Sequence, residues 1–141
     1  MNVNMQADEV RQTDHTSQKI LIVDDHDQVR ASLRAWLGAV FPEYEYLGAD
    51  SGENAIALAE EHEPCLVLMD IGLPGMNGFE AVHRIIMRNP ETKIAMLSLQ
   101  DESHYRDVAG NIGANAFVSK SKISTELIPA VTKLLLEIER K

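Results

Sequence analysis

Residues 19–30, "KILIVDDHDQVR", open on a short apolar run and stop at two adjacent acids, Asp24 and Asp25. Both carboxylates are charged at neutral pH and repel each other. Their place at the end of a strand-like run admits two readings, a solvated turn or a cation site. The run itself, Lys19–Val23, is rich in β-branched residues and lacks polar alternation. That pattern marks a strand covered on both faces, as in a parallel sheet. Outward from it, similar runs occur at "CLVLM" (65–69), "KIAML" (93–97) and "AFV" (116–118). A weaker one is "YEYLGA" (44–49), in which Tyr44 and Tyr46 alternate with polar neighbours.

Helical periodicity fills the gaps. Val29, Leu33, Trp36, Leu37 and Val40 recur at helix spacing, with Asp27 the expected N-cap. Ala55, Ile56 and Ala59 continue a second helix, and Asp50 with Glu53 resembles a capping box. Phe79, Val82, Ile85 and Ile86 mark a third, capped by Asn77. Tyr105, Val108, Ala109 and Ile112 mark a shorter fourth, weakened by Gly110. Leu127, Ile128, Val131, Leu134, Leu135 and Ile138 form a fifth, with Pro129 placed near its start. Trp36 and most methionines fall on apolar faces and are assigned to the core. The order βαβαβαβαβα predicts an α/β fold, a parallel sheet with helices on both sides.

The 141 residues fit one domain large enough for a real core, with residues 1–18 a polar tail and 19–141 the folded unit. A formal net charge of -9 disfavours direct nucleic-acid binding and adhesion to anionic membranes. The single cysteine, Cys65, cannot form an intrachain disulfide and reads as a small buried hydrophobe. No run is long enough for membrane insertion, and the first residues lack the apolar core of a secretory signal, so a cytoplasmic location is expected.

In open α/β sheets, ligands bind outside the carboxyl ends of the strands. Asp24 and Asp25 follow the first run, Asp70 the third, Ser98 the fourth, and Ser119 and Lys120 the fifth. Singly each is an ordinary turn, cap or surface residue. Together they gather three carboxylates, a hydroxyl and an ammonium on one edge. Carboxylates in such number suit Mg²⁺, which takes oxygen ligands and phosphate oxygens. The hydroxyl and ammonium suit the other phosphoryl oxygens. The constellation points to phosphoryl transfer, with Asp70 able to act as a nucleophile that forms an aspartyl phosphate.

The segments "ILIVDDH", "LVLMDIGLPGMNGFE", "IAMLS" and "GANAFVSK" resemble the receiver domain of bacterial two-component response regulators, over about residues 19 to 139 and in the same order. The resemblance implies a flavodoxin-like doubly wound (βα)5 fold with strand order 2-1-3-4-5. It implies Asp70 as phosphoacceptor, Asp25 as a direct Mg²⁺ ligand, Asp24 as support mainly through water, and the Gly72 backbone carbonyl as a further ligand. Ser98 and Lys120 would hold the phosphoryl oxygens, and Ser98 and Phe117 would form the switch. The implied partners are a sensor histidine kinase or histidine phosphotransfer protein and a downstream protein target. A homodimer is compatible with it. The domain would be a phosphorylation-switched signalling unit that assists its own phosphorylation and dephosphorylation, not an enzyme acting on free substrates.

Two positions depart from the common pattern. Leu99 stands after Ser98, where many receivers carry a small residue, and Ser121 stands after Lys120, where many carry proline. A cis peptide is therefore not expected at Ser121. Three alternatives are weighed. A Mg²⁺-dependent phosphohydrolase of the haloacid dehalogenase type would need a second Asp two residues after the nucleophile, where this chain has Gly72. A receiver that no longer phosphorylates would not need the full residue set. The ending "LLLEIERK" (134–141) is the end of the last receiver helix, which is read as a single-domain regulator, or else as the receiver fragment of a longer DNA-binding transcriptional regulator. The histidines are assigned no role; His26 lies near the acid pair, and His15, His62, His83 and His104 lack metal-ligand spacing.

Overall fold

A computed structural model of the chain describes residues 18–73, 75–99 and 103–139. Most of the expected tail, residues 1–17, lies outside the described residues, but the carbonyl of Gln18 already accepts a hydrogen bond from the Glu45 N–H at 3.2 Å, so sheet pairing begins one residue ahead of Lys19. The elements are β1 (Lys19–Val23), α1 (Asp27–Val40), β2 (Glu45–Ala49), α2 (Gly52–His62), β3 (Leu66–Asp70), α3 (Gly78–Arg88), β4 (Lys93–Ser98), α4 (Ser103–Asn111), β5 (Ala116–Ser119), a 3₁₀ turn (Lys120–Lys122) and α5 (Ile123–Glu139). The five strands are parallel in the order 2-1-3-4-5, the order the resemblance implies.

The central strands are apolar on both faces because both faces are covered. Successive side chains point to opposite sides. Ile20, Ile22, Leu66, Leu68, Ala95 and Leu97 thus meet α1 and α5 through Leu33, Leu37, Leu127 and Val131. Leu21, Val23, Val67, Met69, Ile94 and Met96 meet α2, α3 and α4 through Ala55, Val82, Ile85 and Ala109. Trp36 is partly buried against the first layer. Val40, read as part of the apolar stripe of its helix, is exposed, and so is Met87.

Caps differ from the sequence reading in two places. His26, not Asp27, is the N-cap of α1, and its side chain makes no cap hydrogen bond. Asp27 sits inside the first turn, where its carboxylate accepts from Arg30 at 2.7 Å. At α2 the cap is Ser51, whose hydroxyl accepts from the Asn54 N–H at 3.0 Å. Asp50 accepts only from the Asn54 amide at 3.4 Å, so it forms no capping box with Glu53. Asn77 caps α3 as expected, accepting from the Glu80 N–H at 2.9 Å. Pro129 lies inside α5, in its second turn, because the helix starts at Ile123, directly after the 3₁₀ turn. Cys65 is partly buried beside Lys19, and burial pushes its thiol up to about 11, which fits an inert packing role.

α2 ends on Glu63 at φ 50 and ψ 60, a left-handed conformation in which a side chain costs energy. Its N–H still closes the helix on the Ala59 carbonyl at 2.9 Å. Glu63→Gly should therefore raise stability by about 0.5–1 kcal/mol in denaturant unfolding, since glycine takes this position freely. A loss of stability would show that Glu63 contributes more through its side chain than it costs through its backbone.

Candidate functional site

The carboxyl ends of β1, β3, β4 and β5 lie side by side, in the registers Val23↔Met69, Asp70↔Leu97 and Ser98↔Ser119. Each strand delivers its last residue to the same edge. Asp24, Asp70, Ser98 and Ser119 are all buried although polar. Such burial requires partners, and no buried side-chain polar atom among the described residues lacks one.

Lys120 is the hub. Its Nζ donates to Asp24 Oδ2 at 2.9 Å and lies 3.3 Å from Asp70 Oδ2, joining β1, β3 and β5. The second Asp24 oxygen accepts from the His26 backbone N–H at 2.9 Å, and the second Asp70 oxygen from the Gly72 backbone N–H at 3.0 Å. Arg30 reaches back from α1 and donates to the Asp24 carbonyl at 2.8 Å, which fixes the turn carrying the acid pair. Asp25 remains partly open to solvent.

The two buried acids are pulled in opposite directions. Burial works to raise the Asp24 pKa, but the His26 N–H and then Lys120 outweigh it and hold that carboxyl below its ordinary value. At Asp70 burial dominates and the pKa is raised; the Gly72 N–H and Lys120 oppose it, and the charge of Asp24 adds to the rise. Burial would lower the Lys120 pKa, yet its bond to Asp24 and the charge of Asp70 raise it, so the ammonium stays charged.

Phe117 is half-buried at the end of the sheet, and the Arg106 guanidinium lies 4.7 Å from the centre of its ring. Arg106 also donates to the Phe117 carbonyl at 3.5 Å. Leu99, just beyond Ser98, is 80% exposed at the rim. Ser121 donates its N–H to Ser119 Oγ at 3.4 Å, starting the 3₁₀ turn with a bond that proline could not make.

The structure thus gathers Asp24, Asp25, Asp70, Gly72, Ser98 and Lys120 at one edge and sets Phe117 one strand end away. Three residues with contacts here were given no part by the sequence reading. His26 brings Nδ1 to 3.2 Å from Asp24 Oδ1 and 3.2 Å from Asp25 Oδ1. Its adjacency to the acids was the available signal. Arg30 was visible as a basic residue one turn after Asp27. Nothing local marks Arg106. His62 and His83 stand away from this cluster, half-buried and exposed. Asp24, Asp25 and His26 bring ligand atoms within 4.8 Å of one another, and the Lys120 ammonium ties Asp24 to Asp70; carboxylate oxygens of this kind suit a hard divalent cation.

Concavities also lie away from this edge. One of about 450 Å³ sits between the C-terminal parts of α2 and α3, lined by Ile56, Glu60, Arg84 and Arg88. No helix among the described residues is long and apolar enough to cross a membrane.

Comparison with known proteins gives one consistent picture. The family model described as the response regulator receiver domain matches residues 20–132. The transcriptional regulatory protein DegU of Brevibacillus brevis is 37% identical over 114 residues, covering 80% of this chain and 48% of DegU. The response regulator GacA of Pseudomonas aeruginosa is 30% identical over 116 residues, covering 82% and 54%. The chain spans about half the length of the curated relatives it matches. Among solved structures, a two-component response regulator of the LuxR family from an Aurantimonas species superposes with a TM-score of 0.79 at 31% identity, covering 84% of this chain and 85% of that one. The response regulator TrrA of Thermotoga maritima, solved in complex with Mg²⁺ and BeF, superposes with a TM-score of 0.73 at 33% identity, covering 83% and 98%.

Proposed function

The chain belongs to the response regulator receiver family, and from that premise we propose that it accepts a phosphoryl group on Asp70 and thereby switches a protein-binding surface. The observation that carries this reading is the single ammonium of Lys120 bridging the buried carboxylates of Asp24 and Asp70 at 2.9 and 3.3 Å. Here one acid is held below its ordinary pKa and its neighbour above it, a divergence of the kind found at functional sites.

Asp24, Asp25, Asp70 and the Gly72 carbonyl would hold Mg²⁺. When bound, that ion neutralises charge on the phosphoryl oxygens and on the acids around them. Asp25, partly exposed, is the direct ligand of this reading. Asp24 supports it from behind, since both its oxygens are already engaged by His26 and Lys120. The donor is a phosphohistidine on a sensor kinase or phosphotransfer protein. A carboxylate oxygen of Asp70 attacks phosphorus in line, the P–N bond breaks, and the leaving imidazole nitrogen keeps the electron pair. Gly72 N–H orients the Asp70 carboxylate throughout. Lys120 exchanges part of its contact with Asp70 for a phosphoryl oxygen, and the Ser98 hydroxyl takes another. Movement of Ser98 pulls the segment after β4, and Phe117 leaves the Arg106 guanidinium to turn inward. The face formed by α4, β5 and α5 is thereby remodelled for a downstream protein, a population shift between two packings.

The test is incorporation of one phosphoryl group from acetyl phosphate, read by intact mass with and without Mg²⁺. Absence of the mass increment in both conditions would overturn the reading. Leu99 supplies a second measurement. Leu99 is exposed beside Ser98, and in this reading it would close over an acyl phosphate and slow attack by water. Leu99→Ala should lose the phosphoryl group a few-fold faster, within about 1.4 kcal/mol of barrier. Equal hydrolysis rates would remove Leu99 from the account.

A second reading is favoured by length. The relatives named above include a transcriptional regulatory protein, and this chain spans about half of it. In that reading the same switch governs a DNA-binding domain instead of a separate target. The natural reading frame beyond Lys141 decides between them.

A further inference from the structure

His26 occupies the N-cap position of α1, where Ser, Thr, Asp or Asn would turn a side chain onto the first free N–H groups of the helix. Its side chain makes no such bond. The ring is turned instead to the acids, with Nδ1 at 3.2 Å from one oxygen of Asp24 and 3.2 Å from one oxygen of Asp25. Ligand atoms of all three residues lie within 4.8 Å of one another. The ring is 70% exposed, so it can move without disturbing the core. Its backbone is held, because the His26 N–H donates to Asp24 Oδ1 at 2.9 Å and the His26 carbonyl accepts from the Arg30 N–H at 3.0 Å. A nitrogen donor on an anchored backbone therefore sits at the mouth of an otherwise all-oxygen cation site.

We propose that His26 is a metal-selectivity residue, adding a nitrogen ligand through which the site takes divalent transition metals of the Mn²⁺ to Zn²⁺ series as well as Mg²⁺. This rests on the reading of Asp24 and Asp25 as the cation site. The chemistry is that of ligand type. Mg²⁺ prefers oxygen and keeps its waters, so an added imidazole gives it little. Imidazole suits later divalent metals such as Ni²⁺, Cu²⁺ and Zn²⁺, and affinity for such sites rises from Mn²⁺ through Co²⁺ and Ni²⁺ to Cu²⁺ before falling at Zn²⁺. His26 thus separates two classes of cation that the carboxylates alone would rank mainly by charge and size.

The experiment is calorimetric titration of the untagged protein with Mg²⁺ and with Co²⁺, in wild type, His26→Ala, Asp25→Asn and the double variant. His26→Ala should weaken Co²⁺ binding roughly tenfold, the scale on which loss of a group supporting a metal centre is felt. Mg²⁺ binding should change by less than about twofold, as expected for an oxygen-seeking ion. In the Asp25→Asn background, the His26→Ala effect on Co²⁺ should disappear, which excludes surface histidines elsewhere. His26→Asn, which preserves a good N-cap, should lose Co²⁺ affinity as Ala does. The visible spectrum of bound Co²⁺ should also differ between wild type and either variant. Equal weakening of both metals would overturn the proposal and make His26 a group that orients Asp25. A Co²⁺ effect that survives Asp25→Asn would also overturn it. If Mg²⁺ binding itself ignores Asp25→Asn, the failure lies in the cation-site reading.

Discussion

Asp70→Asn should yield a protein that takes up no phosphoryl label from acetyl phosphate and yet unfolds at higher denaturant than the wild type. The first half follows from chemistry, because an amide oxygen cannot form the acyl phosphate. The second follows from the environment of Asp70. Its carboxyl is buried and its pKa is raised, with burial the main cause and Asp24 adding to it. The folded state therefore holds the Asp70 proton more tightly than the unfolded chain does. That contribution is fully present below the ordinary carboxylate pKa and is lost as pH rises through the raised, folded-state value. At pH 7 the ionised side chain is a cost. Asparagine keeps the shape and removes the charge, and Lys120 keeps its bond to Asp24 at 2.9 Å. The gain should be about 1–2 kcal/mol at pH 7, toward the low end for replacing a buried ion by a neutral group, and it should shrink near pH 4. Asp24 acts with the opposite sign. Its lowered pKa contributes stability above the ordinary carboxylate range, lost as pH falls through the folded-state value. Label that persists in Asp70→Asn would sink the assignment of the acceptor. A variant no more stable than wild type at pH 7 would sink the account of its strain.

Gly78→Ala should be the most damaging methyl group that can be added near the site. A Cβ at Gly78 would meet the Asp70 carbonyl oxygen at 2.5 Å, Ile71 Cα at 2.9 Å and the Asp70 carbonyl carbon at 3.2 Å. All three are backbone atoms, so no side chain can swing away. The start of α3 would have to retreat from the strand that carries the acceptor, breaking the bond from the Gly78 N–H to the Ile71 carbonyl at 3.2 Å. Overpacking of this kind costs about 2–3 kcal/mol, which corresponds to roughly 10 °C in Tm for a domain of this size. Because Ile71 and Gly72 follow the acceptor directly, the Gly72 N–H would lose its aim at Asp70 and labelling should slow as well. Thermal unfolding and labelling rates measure the two effects. A Tm within a degree or two of wild type would show that α3 docks more loosely than these distances state.

The architecture was legible because burial on both sheet faces leaves an unmistakable mark. "KILIV", "CLVLM" and "KIAML" have no alternation to misread, and the strand-end rule then placed Asp24, Asp70, Ser98 and Lys120 on one edge without any coordinates. Caps were less legible, since Asp27 and Asp50 carry the right chemistry one residue away from Ser51 and His26, the residues that take the positions. A one-residue shift at a helix start leaves the periodicity unchanged. The contacts of His26, Arg30 and Arg106 were invisible for another reason. Each depends on where a side chain points after two elements have packed, and local sequence does not encode that direction. Pro129 lay farther inside α5 than expected because the helix takes up the chain immediately after the 3₁₀ turn at Lys120.

The order of the strands has a consequence for synthesis. β1 and β3 are neighbours in the sheet, and they leave the ribosome well before β5. A nascent chain that has emerged as far as α3 already carries Asp24, Asp25 and Asp70, but not the lysine that joins two of them. Such a chain has the His26 and Gly72 N–H groups that hold Asp24 and Asp70, but not the ammonium that joins the two carboxylates. The counter-charge comes with the last strand, because Lys120 directly follows β5, whose hydrogen bonds complete the sheet beside β4.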